Sequence, residues 1–145
     1  LPTPCLVLDL AVLKRNLAMM QAAIARHPGV VLRPHLKTAK CREVAALAAP
    51  GGGPITVSTL AEARYLADGW PDQIYGVGIT PRKLEAVASL NAAGAQVKVI
   101  TDDVDAARAI AADGRMDALV EVDCGEHRGG VEPADTLAVA QALGG

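Results

Sequence analysis

Arg33, His35, Lys37 and Lys40 crowd into one short run, VVLRPHLKTAKC at 30–41, whose residue types and spacing can do chemistry. The run opens as an apolar strand. Side chains of a strand alternate between its faces, so Val31, Arg33, His35 and Lys37 share one face and Val30, Leu32, Pro34 and Leu36 the other. Cations on a buried face need opposite charges nearby. Burial of a lysine also favours the free amine, which is a nucleophile. Lys37 is therefore the first candidate for chemistry. The alternative is a solvated edge strand with scattered charges.

The elements that must position this run follow a regular rhythm. Residues 5–9 (CLVLD) read as a short strand, with Asp9 capping a helix striped by Leu10, Leu13, Leu17, Met20 and Ile24. Pro28-Gly29 stops that helix. The strand at 30–36 leads into a helix expected from Thr38 to Ala48. Strand 55–58 is followed by a helix with a capping box, Thr59 and Glu62. Strand 73–77 leads to Thr80-Pro81 and a helix carrying Leu84, Val87 and Leu90. Strand 96–101 leads to Asp102-Asp103, read as a cap, and a helix carrying Val104, Ala107 and Ile110. Strand 117–123 runs into a glycine-rich loop, 124–131, and Pro133 starts a last helix through Leu137, Ala140 and Leu143.

Alternating strands and helices with short links imply a parallel sheet with right-handed crossovers. Two closures compete, an open doubly wound sheet and a (β/α)₈ barrel. A dinucleotide fingerprint is absent, since Gly51-Gly52-Gly53 precedes a strand instead of opening a helix. Strand parity favours the barrel. Thr56 and Ser58, and Leu119, Glu121 and Asp123, join Arg33, His35 and Lys37 on one polar side, which a lumen can hold by pairing acids with bases. The expectation is the N-terminal part of a TIM-like α/β barrel. About five βα units stand where closure needs eight, so the chain is expected to end partway round.

Composition excludes several classes. With 145 residues and a net charge of −2, there is no electrostatic footprint for nucleic acid. Only Tyr65, Tyr75 and Trp70 are aromatic, so base-stacking platforms are missing. Cys5, Cys41 and Cys124 are odd in number and lack CxxC spacing, which reads as free thiols in a reducing, cytoplasmic setting. No apolar run is long enough to span a membrane.

In a barrel, working groups gather at the C-terminal ends of strands and in the loops beyond. Lys37 ends its strand; Asp123 ends the fifth, with Glu126, His127 and Arg128 in the loop after it. Asp123 is expected to pair with Arg33 or Lys40, and His35 with Asp123 or Glu121. His127 and Asp123 alone make a poor zinc set, so no metal ligand is assigned.

RPHLKTAK at 33–40 resembles the cofactor-lysine motif, commonly RPHxKTHK, of the D-serine dehydratase/D-threonine aldolase family of pyridoxal-phosphate enzymes, whose barrel is like the N-terminal domain of alanine racemase. ITVSTLAEARYLADG at 55–69 is similar to the family's second barrel unit, and EVDCGEHRGGV at 121–131 to its loop after the fifth strand. The resemblance implies that Lys37 forms the Schiff base with pyridoxal 5'-phosphate and acts as base. It places Arg128 by the phenolic oxygen of the cofactor ring, and His35 beside the site. Ala39 departs from the pattern, which usually has His there. The resemblance further implies a lyase acting on a D-β-hydroxy amino acid, by dehydration of D-serine or aldol cleavage of D-threonine. It implies a divalent metal, zinc or manganese, with ligands outside this chain, and a homodimer. It also puts the strand at 1–9 in a second, β-rich domain, with 10–145 as a partial pyridoxal-phosphate-binding barrel. Alternatives are an amino-acid racemase, a non-catalytic pyridoxal-phosphate homeostasis protein, or an inactive truncated fragment with open strand edges.

Overall fold

The computed structural model describes residues 2–144. Helix α1 (Leu10–Ile24) is followed by α2 (Arg42–Ala48). Four strand–helix units then alternate: β1 (Ile55–Val57), α3 (Leu60–Leu66), β2 (Asp72–Gly78), α4 (Leu84–Ala92), β3 (Gln96–Thr101), α5 (Val104–Asp113), β4 (Ala118–Val120) and α6 (Thr136–Ala142). All four strands are parallel, and their order in space is their order in sequence, β1-β2-β3-β4. A doubly wound sheet reverses direction at its switch point; a barrel never does. The sheet therefore has the order of a partial barrel, as expected.

Parity divides the sheet as predicted. Ile55, Val57, Tyr75, Val97 and Val99 are buried towards the helices, against Leu66, Val87, Leu90 and Ile110. Gln73 and Thr101 are the polar members of that buried side. Gln73 Nε2 donates to the carbonyls of Ala63 and Trp70 at 3.0 and 2.9 Å, and Trp70 Nε1 to that of Ala49 at 2.8 Å. These bonds tie the start of β2 to α3 and to the turn before it, and that turn to the end of α2.

Three expected elements differ. The strand at 30–36 is reduced to one parallel bridge, His35 opposite Thr56, carried by Thr56 N–H to Pro34 O at 2.9 Å and Leu36 N–H to Thr56 O at 3.0 Å. The next two bonds down this ladder would need N–H groups from Pro34 and Pro54, which have none. Pairing stops there for a covalent reason. The helix expected from Thr38 begins at Arg42, because Lys40 takes a left-handed conformation (φ +48°) and its N–H closes a tight turn onto Leu36 O at 2.9 Å. Residues 5–9 form no strand, and Leu6, Val7 and Leu8 are exposed. Asp9 nevertheless caps α1, accepting from Val12 N–H at 3.0 Å. No residue of α1 is fully buried; Leu13, Leu17 and Ile24 of its stripe are half-buried, and Leu10 and Met20 exposed.

Capping is otherwise local and mostly as read. Thr59 Oγ1 accepts from Glu62 N–H at 3.1 Å, while Glu62 Oε2 accepts from Ser58 N–H at 2.9 Å, one residue upstream of the cap. Asp103 Oδ1 accepts from Ala106 N–H at 2.7 Å. Thr80 gives α4 no side-chain cap; a short 3₁₀ turn at Pro81–Lys83 leads in instead.

Candidate active site

The lumenal side of the sheet is organised in two layers. At the N-terminal ends of the strands, Arg33 Nη2 lies 3.0 Å from both oxygens of Asp72, and Lys98 Nζ lies 3.0 Å from Asp72 Oδ1. Arg33 Nη1 also donates to Ile55 O at 3.1 Å and Asp72 O at 3.2 Å, taking up carbonyls of β1 and β2. Burial pushes the Asp72 carboxyl up, but the bonds from Lys98 and Arg33 outweigh it and hold Asp72 below its usual range. This triad joins β1, β2 and β3 at the bottom of the sheet.

The upper layer holds the chemistry. Lys37 follows the His35 bridge directly and is exposed at the C-terminal ends of the strands. The burial expected of it is not seen. His35 Nδ1 accepts the Lys37 backbone N–H at 3.2 Å, and His35 Nε2 lies 3.2 Å from Ser58 Oγ. Burial, and then the charge of Lys37, lower the His35 pKa; the charge of Glu62 and a bond at Thr56 oppose them. The imidazole is thus neutral at pH 7. With Nδ1 accepting, its proton sits on Nε2 and points to Ser58. Lys40 turns aside to Glu62, Nζ to Oε1 at 3.3 Å. Glu62 is 8% exposed. Burial pushes it up, but the Ser58 N–H and Lys40 hold it below its ordinary range.

Across the sheet, a cleft of about 390 Å³ lies between the end of β2 and the loop after β4, lined in part by Gly76, Asp102, Glu121, Asp123 and Arg128. Asp123 is spent on its own loop. Its Oδ1 accepts from Gly125 N–H at 2.8 Å and His127 N–H at 3.1 Å, and its Oδ2 lies 2.7 Å from His127 Nδ1. Those backbone bonds, led by that of His127, hold its carboxyl below the usual range. Glu121 moves the other way: burial, then the neighbouring Asp102 charge, push it up against the pull of Arg128. Arg128 itself is 74% exposed and reaches Glu126 Oε1 at 3.4 Å.

Several expected pairings are corrected by this geometry. Asp123 meets neither Arg33 nor Lys40, and His35 is paired with Ser58 instead of Asp123 or Glu121. The reason is depth: Arg33 belongs to the bottom layer, Asp123 to the mouth, and strand parity fixes a face but not a layer. Arg128 lines the cleft, whereas Lys37 and His35 do not. His35 instead borders a second, mainly apolar cleft of about 590 Å³ between residues 6–8, α1 and residues 34–48. Asp123, His127 and Glu132, none assigned as a metal ligand from sequence, have ligand atoms within 4.8 Å of one another, with both Asp123 oxygens already engaged by the loop.

Sequence reasoning placed Ser58 on the polar side without its partner His35, and missed Asp102 as part of the mouth. The signal for Asp102 was the doubled acid at the end of β3: one helix N-terminus needs one cap, and Asp103 supplies it.

The residues present fit pyridoxal phosphate in kind. An amine, a neutral imidazole and a guanidinium stand at one end of the sheet. Gly76 keeps the lumen wall flat beneath them, since a Cβ there would lie 2.7 Å from Thr56 Cγ2 and 3.9 Å from His35 Nε2.

Comparison with known proteins decides the lineage. The alanine racemase N-terminal domain matches residues 8–145. The chain belongs to that family. As an alanine racemase N-terminal domain it is 42% identical to D-threo-3-hydroxyaspartate dehydratase of Delftia sp., over 99% of this chain and 40% of that protein. It is 40% identical to D-threonine aldolase of Arthrobacter sp., over 96% of this chain and 38% of that protein. D-serine dehydratase of Dictyostelium discoideum is 28% identical, over 92% and 37%. The solved structure of the Delftia dehydratase superposes with a TM-score of 0.89 at 42% identity, covering 99% of this chain and 40% of that one. An alanine racemase-like protein of Idiomarina loihiensis gives 0.91 at 37% identity, covering 99% and 41%. The resemblance to the D-serine dehydratase/D-threonine aldolase group is thereby borne out, and its relatives are D-hydroxy amino acid lyases. This alanine racemase N-terminal domain spans about two fifths of the length of the curated relatives it matches. Among the described residues, no helix is long and apolar enough to cross a membrane.

Proposed function

We propose that this domain holds pyridoxal phosphate through Lys37 and serves a lyase acting on a D-β-hydroxy amino acid. One observation carries the reading: Lys37 stands at the C-terminal mouth of a barrel-ordered parallel sheet, where such folds keep their active groups. The relatives, dehydratases and aldolases of D-hydroxy amino acids, support the substrate class.

The bound cofactor supplies an electron sink for the carbon that carries the amino group. The chain's own residues do the rest. The Lys37 amine tethers the cofactor and then moves a proton at the substrate Cα. His35, neutral and fixed by Ser58, accepts the Lys37 backbone N–H and so sets where that side chain leaves the backbone. The Glu62–Lys40 pair draws the second ammonium of the motif away from the first. Arg128 would present a permanent positive charge to the ring oxygen and favour its anionic form. A divalent metal at the β-hydroxyl, zinc or manganese, completes the reading, with ligands outside these residues. The working unit is proposed to be a homodimer.

The test offers D-serine, D-threonine, D-threo-3-hydroxyaspartate and D-alanine to the purified protein loaded with pyridoxal phosphate, with and without a chelator. Pyruvate, 2-oxobutyrate or oxaloacetate with ammonia identifies a dehydratase; glycine with formaldehyde, acetaldehyde or glyoxylate identifies an aldolase. Interconversion of D- and L-alanine without either activity would contradict the lyase and favour a racemase. Cofactor binding with no turnover of any of these would point to a binding protein alone.

A further inference from the structure

Asp102 has been freed from capping by its neighbour and is used elsewhere. Asp103 accepts the Ala106 N–H at the start of α5. Asp102 turns to the mouth, where its Oδ2 accepts the Gly130 N–H at 2.8 Å, joining the end of β3 to the loop after β4 across 28 residues of sequence. That loop is pressed onto Val122 and Asp123, just past β4, at the same point. Gly130 has φ +94°, and a Cβ there would fall 2.5 Å from Asp123 N and 2.7 Å from Val122 C. Gly129 faces the acids, since its Cβ would lie 3.6 Å from both Glu121 oxygens and 3.8 Å from Asp102 Oδ2. Arg128 comes immediately before this anchored pair. Its only side-chain bond among the described residues is the 3.4 Å contact to exposed Glu126, too long and too wet to fix a guanidinium. A carboxylate accepting a backbone N–H is a charge-assisted bond and a firmer restraint.

We propose that Asp102 is a positioning residue for Arg128: it clamps the Gly130 N–H and thereby sets where the guanidinium stands over the cleft. The inference rests on the reading of Arg128 as the group facing the cofactor's ring oxygen. Asp102 touches neither substrate nor cofactor in this account. It acts through the loop backbone alone, so an amide oxygen in the same place should serve nearly as well.

Two readouts test it. The first, hydrogen exchange of the Gly130 amide, needs no cofactor. The wild-type amide is expected to be protected, to exchange about tenfold faster in Asp102→Ala, and to be restored in Asp102→Asn. A wild-type Gly130 amide that exchanges as freely as an unbonded one overturns the proposal, even if Asp102→Ala does not fold. The second is the pH midpoint of the visible absorption of bound pyridoxal phosphate, which follows the imine proton shared with the ring oxygen and so responds to a charge beside that oxygen. Asp102→Ala should move it in the direction of Arg128→Ala, and Asp102→Asn should return it. If Arg128→Ala moves the midpoint and Asp102→Ala, folded, does not, the positioning role alone is wrong. If Arg128→Ala leaves the midpoint in place, the reading of Arg128 fails, and the positioning role with it.

Discussion

Replacing Asp72 with alanine leaves Arg33 and Lys98 facing each other with no anion between them. The carboxylate is about one third exposed, so the loss is expected to be about 1–2 kcal/mol in chemical denaturation, less than for a fully buried pair. Because Asp72 is held below its usual range, its contribution is present above the normal carboxylate range and is lost as pH falls through the lowered value. The stability difference between wild type and Asp72→Asn should therefore shrink on acidification. Glu121 has the opposite sign. Its raised pKa means ionisation is less favourable in the folded state, so its stability contribution is full below the unfolded value and is lost as pH rises through the raised one. Glu121→Gln is expected to melt higher than wild type at pH 7 and to match it at about pH 4 or below. At this scale the sequence revealed residue types and faces. It did not reveal partners: parity offers Asp123 to Arg33 or Lys40, and the structure pairs Arg33 with Asp72, which no pattern around position 72 distinguishes, and Lys40 with Glu62.

Elements were legible wherever their cause is local. Asp9, Thr59 and Asp103 all cap the helices that the sequence assigned to them. Asp103→Ala is expected to cost about 1 kcal/mol in thermal or denaturant unfolding, with the fold retained. The strand at 30–36 shrank because two prolines in separate segments, Pro34 and Pro54, fall in adjacent rungs of one ladder. That coincidence exists only after the strands are paired. The helix expected at Thr38 starts at Arg42 because Lys40 is left-handed, a choice that lysine composition gives no hint of. Residues 5–9 have the alternation of a strand and no partner among the described residues.

At the scale of the whole molecule the strand order was legible, since the alternation of units and the missing dinucleotide loop left a barrel-type sheet as the consistent solution. Exposure is where the assembled chain differs from a finished core. Leu6, Val7, Leu8, Met19, Met20, Val30 and Val31 are all exposed, and most fall on or before α1. A polypeptide of these residues alone is expected to self-associate; a monodisperse monomer in light scattering would contradict that.

The central claim is that Lys37 is the residue that tethers pyridoxal phosphate. Borohydride reduction of the loaded protein, followed by peptide mass spectrometry, asks this directly, because it fixes the cofactor to whichever amine holds it. The predicted result is one modified peptide with the added mass on Lys37, absent in Lys37→Ala together with the visible absorption of the bound cofactor. Modification of Lys40 or Lys98 instead, or a visible band that survives Lys37→Ala, would contradict the account.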